Sequence, residues 1–185
     1  MNITRFEIDG PLLISPRVFE DSRGYFMESY NRRLFLDETK IDTSFVQDNE
    51  SFSLYGTLRG LHFQKPPFAQ AKLVRAMTGT ILDVVVDIRK GSPTFGRHIS
   101  VELDSTQKKL LYIPRGFAHG FVVLSESATF VYKVDNYYAP EHDSGIHYAD
   151  IDLNIDWKVK SSDLILSKKD TSLQSFVTYS KKPDF

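Results

Sequence analysis

The chain has 185 residues, 41% of them hydrophobic, enough for one domain with a core of its own. It has no cysteine, which excludes disulfides, thiolate metal sites and a cysteine nucleophile. Its 23 Lys and Arg balance 24 Asp and Glu, so bulk charge does not point to nucleic acid, and no run approaches the roughly 20 apolar residues of a membrane span.

The N-terminal stretch MNITRFEIDGPLLI lacks an apolar run behind a basic start, so a cytoplasmic protein without a secretory leader is expected. Asn31 to Glu38 reads as a short helix. Ile81 to Ile88 (ILDVVVDI) is β-branched and lies between Gly79 and the turn Gly91-Ser92-Pro93, so it reads as a strand, with Val84 to Val86 in the core. Ile99 to Leu103 alternates polar and apolar. Leu110 to Ile113, Gly120 to Leu124 and Thr129 to Val134 follow at spacings of roughly ten residues. Surface loops are expected after Tyr138 and near Asp163. A second short helix is expected after Asp170, followed by a frayed tail over Lys181 to Asp184. The rhythm predicts a single all-β domain over 1–185: an antiparallel sandwich, jelly roll or barrel. The 14 Phe and 9 Tyr suit pleated strands and stacking surfaces for flat ligands.

Two segments carry chemistry. Gly56 to Gln64 reads GTLRGLHFQ, and Tyr112 to Phe121 reads YIPRGFAHGF. The Pro-x-Gly-x-x-His spacing at Pro114, Gly116 and His119 is the second-motif pattern of cupin barrels. Gly56-x5-His62-x-Gln64 looks like the first motif with its second His replaced by Gln. Metal-binding cupins usually combine three His and one Glu; here only His62 and His119 are evident. No acidic residue occurs between Glu50 and Asp83, and Lys65 and Lys72 follow Gln64. An ammonium in the pocket repels a divalent cation, so no metal is expected.

A pocket of this kind still holds acid–base groups. His62 can take a proton near neutral pH, given a carboxylate behind it. Asp83, Asp87 and Asp170 are the candidates, and the residues alone leave the choice open. Tyr132, in FVYKVDNYY, can donate from the other side, and Lys72 or His119 can stabilise an oxyanion. A ketone α-proton is far less acidic than imidazolium, and each unit of mismatch costs about 1.4 kcal/mol. One oxyanion donor offsets roughly 3 to 4 kcal/mol. The chemistry therefore needs several donors around the enolate oxygen. His98, His142 and His147 read as edge or loop residues.

The chain resembles the dTDP-4-dehydrorhamnose 3,5-epimerase family over nearly its whole length. The resemblance runs through DSRGYFMESY, FVQDNESFS, LRGLHFQ, LVRAMTGTILDVVVDIRKGSPTFG, IPRGFAHGFVVLSE, YKVDNYYAPE and NIDW. It implies a dimeric cupin-type jelly roll with no metal or organic cofactor. It implies epimerisation at C3 and C5 of dTDP-4-dehydro-6-deoxy-D-glucose in dTDP-L-rhamnose synthesis. By resemblance His62 is the general base, Asp170 its partner, Tyr132 the acid on the opposite face, and Lys72 the enolate-stabilising cation. Arg59 and His119 would line the same pocket. An N-terminal segment would cross between subunits, so that Arg23, Phe26 and Glu28, with Gln47 and Asn49, help hold the nucleotide-sugar. Phe19 and Tyr138 would sandwich the thymine. Asp143-Ser144 and Tyr148 to Ile151 depart from the family pattern, in loops outside the expected catalytic set. The alternatives are a single-carbon 3- or 5-epimerase or ketoisomerase, a metal-dependent cupin, and a sugar-binding barrel without catalysis.

Overall fold

A computed structural model describes residues 1–185. Its N-terminal part is made of strands that no hydrophobic alternation announces: β1 (Asn2–Arg5), β2 (Leu12–Ser15), β3 (Val18–Asp21), β4 (Gly24–Met27), β5 (Gln47–Leu54), β6 (Leu58–Gln64) and β7 (Lys72–Thr78). The predicted runs then appear as β8 (Thr80–Asp87), β9 (His98–Asp104), β10 (Leu110–Ile113), β11 (Phe117–Val123) and β12 (Ser127–Val134), and β13 (Asp143–Gly145) follows. Every pairing between these strands is antiparallel. A six-stranded sheet has the order β1-β2-β10-β7-β12-β5, and a five-stranded sheet has the order β13-β6-β11-β8-β9. The β3–β4 hairpin pairs only with itself. This is the expected all-β jelly roll of the cupin type, with two short α-helices.

The first helix, α1, spans Arg32–Thr39, one residue later than its sequence pattern suggests, because Asn31 is its cap and accepts from Leu34 N–H at 3.1 Å. After Asp170 comes a single 3-10 turn, Asp170–Ser172, and then α2, Phe176–Lys181, capped by Ser175. The tail is not frayed. Tyr179 is buried, Phe185 packs beside Phe63, and the Phe185 carbonyl accepts from Lys90 N–H at 2.7 Å. An aromatic anchor outweighs the local polarity of Lys181 and Lys182.

Alternation along β8 explains the layering. Ile81 and Val85 face the opposing sheet and pack with Val74, Phe121 and Phe130. Leu82, Val84 and Val86 face outward and are covered by Leu153, Trp157 and Tyr179 from the C-terminal segment. The outer face near β2 and β10 is closed by Phe35 of α1. No helix is long and apolar enough to cross a membrane.

Asp87, at the end of β8, is fully buried and serves the adjoining turn. Its carboxylate accepts from Arg89 Nε at 2.9 Å and from the Ser92 and Thr94 hydroxyls, each at 2.6 Å. It is therefore not the carboxylate behind His62. Burial pushes its pKa up, but these donors more than offset that and hold it at about 2, against the ordinary 3.8. A depressed carboxylate stabilises the fold above its unfolded pKa and loses that contribution as pH falls through the folded one. The window runs from about pH 4 down to about pH 2, and the contribution is about 2 kcal/mol. Asp87→Asn should lower urea stability at pH 7 by roughly that amount. It should also flatten the loss of stability between pH 4 and pH 2; an unchanged acid slope would refute the assignment.

Candidate active site

The two sheets part at one end around an open cavity of about 410 Å³. Polar residues reach it from both sides. On β5, the inward positions Gln47, Asn49, Ser51 and Ser53 alternate with exposed Asp48, Glu50, Phe52 and Leu54. The inward side of β5 is polar because its central part, Asn49 and Ser51, walls the cavity rather than the core.

On the facing sheet, β6 breaks its alternation. His119 pairs with His62, whereas Phe121 pairs with Arg59, so β6 spends one residue more than β11 over this stretch. This β-bulge turns both Arg59 and His62 into the cavity, although strict alternation would send residues three apart to opposite faces. Gly60 sits at the bulge with φ +124°, and a Cβ there would lie 2.5 Å from the Gly120 Cα and 2.7 Å from the His119 carbonyl oxygen. Only glycine allows that approach.

The register brings His62 and His119 side by side, and each imidazole has its own carboxylate. His62 Nε2 lies 2.6 Å from Asp170 Oδ1, with side chains 29% and 4% exposed. Ser167 Oγ donates to Asp170 Oδ2 at 2.6 Å. Burial pushes the Asp170 pKa up, yet the hydrogen bonds from His62 and Ser167 and the charge of the imidazolium outweigh it, leaving the carboxylate below its ordinary value. The ionised partner fixes the proton on Nε2, so His62 Nδ1, which has no protein partner, is free to accept one. His119 Nε2 contacts both oxygens of Asp83, at 3.0 and 2.9 Å. Burial pulls the His119 pKa down, and Asp83 opposes this only in part. Thus of the three candidate carboxylates, Asp170 serves His62, Asp83 serves His119 and Asp87 serves a turn.

From the six-stranded sheet, Lys72 and Tyr132 enter the same cavity. The Lys72 ammonium lies 6.0 Å from the Tyr132 ring centroid and makes no ion pair. Burial draws its pKa down to about 8, against the pull of Asp83 and Asp143. Burial also raises the Tyr132 phenol above its ordinary value, so it stays protonated and able to donate. Arg59 is braced by the buried Ser53 hydroxyl, which accepts from Nε at 3.3 Å and from NH2 at 3.2 Å. The cavity thus combines a base with a fixed tautomer, a phenol, and cations able to meet a developing oxyanion.

Gln64, which stands where a metal cupin would carry a His, is fully engaged. Its amide nitrogen donates to the Phe68 and Tyr137 carbonyls at 2.7 and 3.1 Å, and its oxygen accepts from Ala139 N–H at 2.7 Å. No three His, Cys, Asp or Glu side chains gather in a way that could hold a metal ion.

The remaining expected binding residues fall in two groups. Asn49 lines the cavity and accepts from Gln47 Nε2 at 2.8 Å. Arg23, Phe26, Glu28, Phe19 and Tyr138 do not line it within one chain. Arg23 pairs with Asp21 at the hairpin tip, and Glu28 accepts from Asn31 at 3.0 Å. Phe19 and Phe26 are exposed, and Tyr138 donates its hydroxyl to Asp143 at 2.9 Å. Sequence reasoning missed Ser53, Ser167 and Lys169. Of these only Ser167 leaves a trace, in the Ser-x-x-Asp spacing of a capped turn.

Comparison with known proteins agrees with this geometry. The family model described as dTDP-4-dehydrorhamnose 3,5-epimerase matches residues 5–178. A relative of that name from Shigella flexneri is 49% identical over 177 residues, covering 96% of this chain and 97% of the relative. The crystal structure of dTDP-4-dehydrorhamnose 3,5-epimerase from Elizabethkingia anophelis superposes with a TM-score of 0.93 at 48% identity, covering 100% of this chain and 99% of that one. A Legionella pneumophila 3,5-epimerase, solved in complex with dTDP-4-keto-L-rhamnose, gives 0.90 at 45% identity, covering 94% of this chain and 92% of that one. By sequence and by fold, this chain belongs to the dTDP-4-dehydrorhamnose 3,5-epimerase family.

Proposed function

We propose that the chain converts dTDP-4-dehydro-6-deoxy-D-glucose to dTDP-4-dehydro-L-rhamnose by inverting C3 and C5, in the cytoplasm, on the route to dTDP-L-rhamnose and cell-surface polysaccharide. Family membership supports the reaction. The observation that carries the mechanism is the partly buried His62–Asp170 pair sharing one cavity with Tyr132 and the Lys72 ammonium, which is free of ion pairs.

The C4 ketone acidifies both neighbouring carbons. His62 takes the proton from one face, and the electron pair moves onto O4 as an enolate. Lys72 meets that oxygen. The enolate collapses, and the carbon takes a proton from the opposite face, from Tyr132 for at least one of the two carbons. Solvent returns the proton to the phenol and removes the one on His62. Arg59 and Asn49 hold the diphosphate and sugar.

The exposed β3–β4 hairpin supports a homodimer in which Arg23, Phe26 and Glu28 complete the partner's site and Phe19 stacks with Tyr138 on thymine. A monomeric sedimentation mass at assay concentration would refute that assembly.

The function is tested by incubating the chain with the 4-keto sugar nucleotide in deuterated water and following product by NMR. Deuterium at both C3 and C5 with inversion is expected. Label at one carbon only would make it a single-carbon epimerase, and loss of turnover on adding a chelator would overturn the metal-free mechanism.

A further inference from the structure

At the mouth of the cavity three segments meet on one carboxylate. Asp143 opens β13, opposite Gln64 in the register with β6. Its Oδ2 accepts from the Tyr138 hydroxyl at 2.9 Å and from the Lys169 ammonium. Its side chain is only 13% exposed. Lys169 lines the cavity and immediately precedes Asp170, the partner of His62. Tyr138 ends a loop that is pinned from the other side, where Gln64 holds Tyr137 and Ala139 and Gln70 Nε2 donates to the Asn136 carbonyl at 2.7 Å. The contacts close a ring from β6 through the mouth loop, Tyr138, Asp143 and Lys169 back to Asp170 and His62.

We propose that Asp143 is a positioning residue: by clasping Lys169 and Tyr138 it holds the Asp170 turn and the mouth loop in one arrangement and sets the balance of charge around Lys72. The role rests on the epimerase reading above. Basic groups crowd the cavity. Lys72 shares it with the cations Arg59 from β6 and Lys169, with the imidazoles of His62 from β6 and His119 from β11, and with the Tyr132 phenol from β12. Of the carboxylates, Glu50 lies on β5 and Asp170 is held by His62 and Ser167, and those that pull on Lys72 are Asp83 from β8 and Asp143 from β13. Asp83 already faces His119, which leaves Asp143 as the adjustable charge. Without it Lys72 loses the pull of one carboxylate; release of Lys169, which repels Lys72, offsets only part of that loss, so Lys72 sheds its proton at lower pH. A neutral amine is a poor partner for an enolate.

The test uses the full-length protein carrying Asp143→Asn, which keeps the shape and removes the charge, beside Asp143→Glu, which keeps the charge. In Asp143→Asn the basic limb of the kcat/KM–pH profile should move down by about one pH unit. Turnover at pH 8 should fall about fivefold, because the protonated share of Lys72 drops from about one half to about one tenth. Asp143→Glu should retain the wild-type limb. A purely structural role would lower activity in both variants with the limb unmoved, and that result overturns the proposal. NMR of carbon-13 dimethylated lysines gives a reading that needs no turnover. The Lys72 signal, assigned by its loss in Lys72→Arg, should titrate at lower pH in Asp143→Asn than in wild type. If wild-type protein turns over the 4-keto sugar yet both the limb and the Lys72 titration stay put in Asp143→Asn, the positioning role alone falls. If wild-type protein turns over no 4-keto sugar, the epimerase reading falls and the positioning role falls with it.

Discussion

Replacing His62 by Ala should abolish deuterium uptake from solvent at both C3 and C5 and reduce turnover by about a thousandfold or more. The size follows from the lack of a substitute. His119 is the nearest imidazole, but its Nε2 faces a carboxylate inside the sheet, and burial already lowers its proton affinity. Lys72, at about 8, is mostly charged at neutral pH and is a poor base there. A thousandfold loss equals about 4 kcal/mol of transition-state stabilisation, in the range expected of a positioned general base. Exchange measured by NMR at several pH values checks this, and exchange at the wild-type rate in the variant would remove His62 from the base role.

Replacing Tyr132 by Phe separates proton removal from proton return. Position 132 retains its ring among Phe130 and Lys72, so the pocket keeps its shape and His62 keeps its partner. Exchange should persist on the face served by His62 while inversion slows by about a hundredfold, the scale of one general-acid contribution. The measurement compares label uptake with product formation in the same tube. Equal slowing of both, or normal inversion, would place the acid elsewhere. The burial that raises the Tyr132 pKa carries a sign for the pH profile. A phenol shifted upward stays protonated as pH rises past its ordinary value of about 10, so Tyr132 should not set the basic limit of activity; Lys72, at about 8, should.

The strands from Ile81 to Val134 were legible because their β-branched runs and turn residues follow the pleat. The N-terminal strands were not, because β5 presents Gln47, Asn49, Ser51 and Ser53 to the inside, the reverse of the usual polarity. A strand that walls a polar cavity loses its hydrophobic signature. The site divides in the same way. His62 and His119 stand in tight local strings, and chemistry alone singles them out. The carboxylate behind His62 could not be chosen from the residues, because Asp170 lies 108 positions away and arrives on a turn held by Ser167. Asp83 and Asp87 lie on β8 with the same inward parity, yet one reaches His119 and the other closes a loop. Nothing in a one-dimensional pattern separates them. The clasp of Asp143 on Lys169 was equally hidden, since it joins two segments 26 positions apart with no shared local pattern.

The extra residue absorbed by β6 turns one backbone position into a gate on evolution. A side chain at position 60 would collide with the Gly120 Cα and expel the bulge; evenly pleated, residues 59 and 62 would then point to opposite faces, one of them toward the layer of Leu153 and Trp157. A lineage carrying such a replacement would keep every chemically competent side chain and still lose the reaction. Most point substitutions can tune this enzyme gradually, whereas a change at Gly60 acts all at once.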